Sequence, residues 1–176
     1  APIFAVTQTN PDLDGFDQKN IHPIGVLCNI VESIKVSDGT LKVIIHGLMR
    51  GRVKQVIATE NYFSCAIEAL PNPASIEDQE TLILIKSCIE SLGKYAKYNK
   101  KITPEIIVAL SKIRNASDIA YAIAAIVNSS VKNKQMVLDE NDPIKKLYKV
   151  LELLKIEIEI TEAEDRINKS IQEKVT

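Results

Sequence analysis

The sequence predicts an α+β protein. A β-rich amino-terminal subdomain, an incomplete barrel-like sheet, should occupy residues 1–70, a helical bundle residues 71–141, and a long carboxy-terminal helix residues 142–176. Three observations carry this expectation. Asp38-Gly39 separates two apolar-rich runs, a strong short-range signal for a hairpin whose turn needs φ > 0 backbone. Pro71-Asn72-Pro73 then closes the last alternating run, because proline has no N–H for a strand ladder. Beyond that point the apolar spacing changes from two to three-and-four, and neither proline nor glycine occurs between Ile144 and Thr176.

The elements follow in order. Ile3–Gln8 reads as a short strand, and Asn10–Pro23, with its prolines, glycine and three aspartates, as a loop. Ile24, Val26, Cys28, Ile30, Ile34 and Val36 alternate along one strand face, interrupted only by Glu32. After the turn, Leu41, Val43 and Ile45 point one way while Lys42 and His46 point the other. The Gly47-Leu48-Met49-Arg50-Gly51-Arg52 step places glycines where a ladder bends or bulges. Phe63, Cys65, Ile67 and Ala69 alternate with Ser64 and Glu68 in a further strand, facing inward.

The first helix is expected from a Ser75/Asp78 capping pattern, with Leu82, Ile85, Ile89, Leu92 and Ala96 on one face to about Asn99. Thr103-Pro104 supplies a cap and a proline at the first helical position of a second. Ser117 or Asp118 should cap a third, running to about Val127, and a fourth spans about Lys132–Leu138. Asp142-Pro143 opens the last. Helical to its end, that segment would extend ~50 Å at ~1.5 Å per residue. Ile144, Leu147, Leu151, Leu154 and Ile158 form a bundle face. Past Ile160 the apolar positions thin to Ala163, Ile167, Ile171 and Val175, as in a projecting strut.

Composition excludes several classes. A net charge of −1 gives no case for nucleic acid or an anionic membrane. The nearest basic run, Lys97 with Lys100-Lys101, falls at a helix end, where cations suit the dipole. No stretch approaches the ~18 apolar residues of a membrane span. APIFAVTQTNPD lacks the charged start and apolar run of a secretory signal. Cys28, Cys65 and Cys88 each sit on an apolar face, so buried free thiols in a reducing, cytoplasmic setting are expected. No phosphate-binding loop of G-x-x-x-x-G-K-[ST] form occurs; Gly47 and Gly51 are one residue too close and Arg52-Val53 follows. His22 and His46 are too few for a convincing metal or catalytic site, and Asp12, Asp14 and Asp17 lack the twelfth-position glutamate of a calcium loop. The residues therefore predict no catalytic, metal or cofactor site.

PIGVLCNIVESIKVSDGTLKVIIHGLMRGRV (Pro23–Val53) resembles the amino-terminal domain of the Lon ATP-dependent protease family. The matching features are Gly25, the Asp38-Gly39-Thr40 turn, Lys42-Val43, and Gly47-Leu48 with Arg50 and Arg52. The likeness continues through YAKYNKKITPEIIVALSKI (Tyr95–Ile113) and DPIKKLYKVLELLKIEIEI (Asp142–Ile160). It implies a PUA-like barrel subdomain and a helical bundle, and places this chain in a cytoplasmic, hexameric protease that degrades misfolded and regulatory proteins. It further implies that ATP and Mg, and the serine–lysine catalytic pair, belong to domains outside this chain. Family members begin with two further strands and a helix before the segment resembling Ile3–Gln8. The implied role is non-catalytic recognition of unfolded or damaged proteins together with assembly.

A receptor for unfolded chains needs exposed apolar surface or an open strand edge. Leu48 and Met49 at the strand break are the candidate apolar contacts, with Arg50 and Arg52 as rim donors; equally, Leu48 and Met49 could be core residues that the arginines merely cover. The alternative is a purely oligomerising spacer, self-associating through Ile167, Ile171 and Val175. RNA binding is the weakest reading, since no basic-aromatic stripe is present.

Overall fold

The computed structural model describes residues 2–74 and 77–175. The chain divides into two compact units, Ala1–Asn72 and Pro73–Thr176.

The first unit is an antiparallel meander of strand order β1-β2-β3-β4: β1 Ile3–Ala5, β2 Ile24–Lys35, β3 Leu41–Ala58 and β4 Phe63–Leu70. The sheet is open among the described residues, with β1 and β4 as its two outer strands, in keeping with the incomplete barrel-like sheet expected. β1 is shorter than Ile3–Gln8, with Gln8 making only an isolated bridge to Ile21. The β2–β3 turn is a three-residue loop. Gly39 N–H donates to the Val36 carbonyl at 2.9 Å, Val36 N–H to the Thr40 carbonyl at 2.8 Å, and Gly39 has φ +89°. That is a type I turn closed by a left-handed glycine, the next commonest hairpin connection after the two-residue turn. Asp38 locks it by accepting from Thr40 N–H at 2.9 Å and from Thr40 Oγ1 at 2.6 Å. These two bonds hold the Asp38 carboxyl below its ordinary pKa.

Three bulges shift the register. Leu48 is the extra residue opposite Leu27/Cys28, Val31 the extra residue opposite Ile44/Ile45, and Lys54 the extra residue opposite Ala66/Ile67. The break expected around Gly47–Arg52 is thus a bulge at Leu48. The Val31 bulge corrects the expected strand face. Ile34 pairs with Lys42 while Ile30 pairs with Ile45, so the two isoleucines point to opposite sides.

The second unit contains α1 Gln79–Ala96, α2 Pro104–Ser111, α3 Ala116–Ile126, α4 Val131–Asp139 and α5 Pro143–Val175. Their caps are local and side-chain-made. Asp78 accepts from Thr81 N–H at 2.8 Å, Thr103 from Ile106, Asn115 from Asp118 at 3.0 Å, and Ser130 from Asn133. The Ser75 half of the expected capping pattern lies outside the described residues; the observed α1 cap is Asp78 itself. Asn115, not Ser117 or Asp118, caps α3, leaving Ser117 buried inside the helix. The core joins Leu84, Cys88, Leu92 and Tyr95 of α1, Ile119 and Ile123 of α3, Val137 of α4, and Leu147, Val150 and Leu154 of α5. Cys88 is fully buried there and its thiol is pushed up to about 12 by desolvation.

Candidate functional site: an apolar sheet face

Register decides which side chains share the open sheet face. Phe4, Leu27 and Met49 are cross-strand neighbours, Gly25 opposes Gly51, Val53 opposes Ile67, and Val56 opposes Cys65. Directly opposed residues point to the same side, so these groups form one apolar surface. The two glycines give it its shape. A Cβ on Gly25 would lie 2.4 Å from the Ala5 carbonyl oxygen and 2.8 Å from the Phe4 ring; one on Gly51 would meet Ile67 at 2.9 Å and Phe4 at 3.1 Å. The bare backbone at this pair is therefore the seat of the Phe4 ring.

Beside that ring the face opens into a groove of about 700 Å³ lined by Phe4, Leu27, Val53, Val56, Cys65 and Ile67, with further residues from the amino-terminal loop and the β3–β4 turn. Phe16 and Phe63 line it too and stack on one another at 4.3 Å between ring centroids. The alternation in β4 identified Phe63, Cys65 and Ile67 as facing inward. They face this groove instead of a sealed core, and Phe63 is exposed. Cys65 is only partly buried, correcting the expectation of three buried thiols; partial desolvation raises its pKa. Cys28, on the opposite face, is buried as expected.

The predicted contact residues separate. Leu48 is 48% and Met49 42% exposed, and Met49 continues the groove face next to Leu27. Arg50 is 5% exposed, on the opposite face beside Val26, so it does not occupy a rim. The bulge is the physical reason: it inserts Leu48 and turns Arg50 to the side of Ile24 and Cys28. Arg52 is half-buried on that same side, opposite Glu68. Lys54 donates to Glu68 at 2.8 Å; this bond and charge, with a smaller contribution from Arg52, hold the Glu68 carboxyl low.

The distal hairpin adds apolar surface on both faces. Ile30, Val31, Ile34, Leu41, Val43, Ile44 and Ile45 are all exposed, and β1 reaches only Val26–Cys28 of β2. Ile167, Ile171 and Val175 are likewise exposed, on the last turns of α5. Sequence reasoning missed the groove because Phe4 and Phe16 lie outside long alternating runs and the Gly25–Gly51 opposition emerges only from the strand register. Among the described residues, no group of three or more His, Cys, Asp or Glu side chains is placed to hold a metal ion, and no helix is long and apolar enough to cross a membrane.

An open antiparallel sheet bearing an apolar groove, followed in the chain by a helical bundle, makes this an α+β module of two units. Residues 1–156 match the family described as the ATP-dependent protease La (LON) substrate-binding domain, and the chain belongs to that family. It is 31% identical over 173 residues to the Lon protease of Buchnera aphidicola subsp. Baizongia pistaciae, covering 98% of this chain and 22% of that protein. Against the Lon protease of Escherichia coli K12 the identity is 29% over the same shares. The chain thus spans about a fifth of the length of these relatives. The fold is similar to the amino-terminal domain of a Mycobacterium avium complex Lon protease, with TM-score 0.64, 15% identity, and coverage of 80% of this chain and 74% of that one.

Proposed function

We propose that this chain is the non-catalytic region through which a Lon-type ATP-dependent serine protease captures unfolded or damaged polypeptides. The observation that carries the reading is the apolar groove continuous with exposed Met49. It offers side-chain-sized apolar surface that folded proteins lack the exposed partners to fill. Leu48 and Met49 supply adaptable contact and Arg52 a polar neighbour, while buried Arg50 supports the bulge that presents them. ATP, Mg and the serine–lysine pair act in other parts of a cytoplasmic, homohexameric enzyme.

The test is fluorescence anisotropy of a labelled, permanently unfolded protein titrated with this chain, with the folded form as control. Met49→Asp combined with Leu48→Asp should weaken binding at least about tenfold, equivalent to ~1.4 kcal/mol, with an unchanged unfolding transition. Undiminished affinity in the folded double variant would contradict the assignment.

A second reading, assembly without substrate affinity, is favoured by one observation: α5 remains helical to Val175 with Ile167, Ile171 and Val175 exposed. It predicts a concentration-dependent rise in mass by light scattering, lost when these three are changed to serine, and no binding of the unfolded probe. RNA binding draws no support from a net charge of −1.

A further inference from the structure

The outer edge of β4 carries a row of main-chain donors and acceptors that runs along the groove. Among the described residues β4 is paired on one side only, with β3. Which of its residues turn their backbone toward β3 follows from the turn. There Thr59 N–H donates to the Tyr62 carbonyl at 2.9 Å. Alternation from Tyr62 aims the backbone groups of Ser64, Ala66 and Glu68 at β3, and those of Phe63, Cys65 and Ile67 away from it. Val53 bears this out. It opposes Ile67, yet its N–H donates to the Pro23 carbonyl at 2.8 Å, on the side away from β4. The bulge at Lys54 belongs to β3 and leaves the alternation of β4 intact.

The residues that turn their backbone outward also line the groove: Phe63, Cys65 and Ile67 do both. A strand laid along this edge would therefore put every second side chain on the groove face, since directly opposed residues point to the same side. Protein edges are usually blunted by shortness, proline, bulges or inward charges. β1 is only three residues long, and the distal edge of β2 carries the Val31 bulge with Glu32 and Lys35. β4 has none of these devices on its groove side. It runs for eight residues without proline, and its one charge, Glu68, is on the other face in an ion pair with Lys54. Amides and carbonyls repeating about every 6.8 Å match the main chain of an extended polypeptide, a pattern that neither a helix nor a nucleic acid presents.

We propose that unfolded polypeptide is captured as an added strand on the edge of β4, with its alternate side chains entering the groove. This rests on the assignment of the groove to substrate capture and names the class of substrate it takes. That class is an extended segment of about six residues, with large apolar side chains at i, i+2 and i+4 and no proline among the pairing positions.

Three labelled peptides of one sequence, leucine alternating with threonine, test this. One is unmodified, one is N-methylated at its leucines and one at its threonines. Strand addition uses the N–H groups of one alternate set only, so one methylated peptide should bind at least about tenfold more weakly than the parent and the other should bind as well as it does. Antiparallel addition predicts the loss on leucine methylation, parallel addition on threonine methylation. In the free chain the amides of Phe63, Cys65 and Ile67 should exchange fast while those of Ser64, Ala66 and Glu68 are protected. Saturation with the unmodified peptide should slow the first three at least about tenfold. Cys65→Pro removes an outward N–H and no bond to β3, so it should weaken binding, whereas Cys65→Ser should not. Equal binding of both methylated peptides, or fast exchange at Phe63, Cys65 and Ile67 under saturation, would overturn strand addition and leave side-chain capture by the groove standing. Failure of the peptide to bind while a permanently unfolded protein still does would have the same meaning. Loss of all binding, that protein included, would overturn both assignments. A concentration-dependent doubling of mass that protects these three amides without peptide would also overturn the proposal, giving the edge to a second copy of this chain.

Discussion

The two units use similar apolar content in opposite ways. In Pro73–Thr176 the large aliphatics of α1, α3, α4 and α5 close on one another, and Leu92, Ile119, Ile123, Leu147 and Leu154 are fully buried. In Ala1–Asn72 the buried hydrophobic residues among those described are Ile24 and Cys28, while isoleucines, valines, two leucines and a methionine of the hairpin stand exposed. A sheet has two faces, and four strands bury one only when another layer covers it. A bundle of amphipathic helices supplies its own cover. The helical unit is therefore built to hold its shape, and the sheet unit to present surface.

The largest effect that would break this contrast is a core truncation. Leu154→Ala should cost about 2–5 kcal/mol, lowering the helical melting transition seen by circular dichroism, because the fully buried site leaves a cavity. A loss below 1 kcal/mol would mean the helical core is as loosely packed as the sheet. Next, Gly25→Val should cost about 1–3 kcal/mol by overpacking against Ala5 and Phe4. Hydrogen exchange should then show β1 amides losing protection while those of α1 and α5 do not change.

Asn115→Ala sharpens the comparison at a boundary within the bundle. It should cost about 1 kcal/mol by removing the α3 cap, whereas Asp118→Asn should cost markedly less. The smallest effect is electrostatic. Burial, and secondarily the charge of Glu164, raise the Glu157 carboxyl above its ordinary value. An acid whose folded pKa is raised favours the native state when protonated, so its ionisation destabilises the fold as pH climbs through that raised value. Glu157→Gln should therefore raise the melting temperature slightly at pH 7 and leave it unchanged below about pH 4, where the native side chain is already neutral.

These sites also mark how far the sequence could be read. Periodicity and capping chemistry are local, so α2, α5 and the Asp38-Gly39 hairpin were legible from a few neighbouring residues. The α3 cap was misplaced by two or three positions because Asn115, Ser117 and Asp118 are all competent caps and local chemistry ranks them too closely. Bulges were harder. The glycines announced the one at Leu48, but nothing in Ile30-Val31-Glu32 announces that Val31 is extra, and that residue reverses the face of Ile34. The groove was the least legible feature. It depends on Gly25 and Gly51, 26 positions apart, falling opposite one another and admitting the Phe4 ring from a third strand. The strand break pointed to Leu48 and Met49, which are exposed, but Arg50 turns inward because one inserted residue changes the side to which every later residue points.

The central claim, that the open apolar face of the sheet unit captures unfolded polypeptide, is tested most directly by hydrogen–deuterium exchange. The chain would be measured alone and with a saturating, permanently unfolded protein. Capture on this face predicts new protection in β2, β3 and β4 around Leu27, Met49, Val53 and Ile67, with the helical unit unaltered by that probe. Protection confined to the helices, or none at saturation, would contradict it.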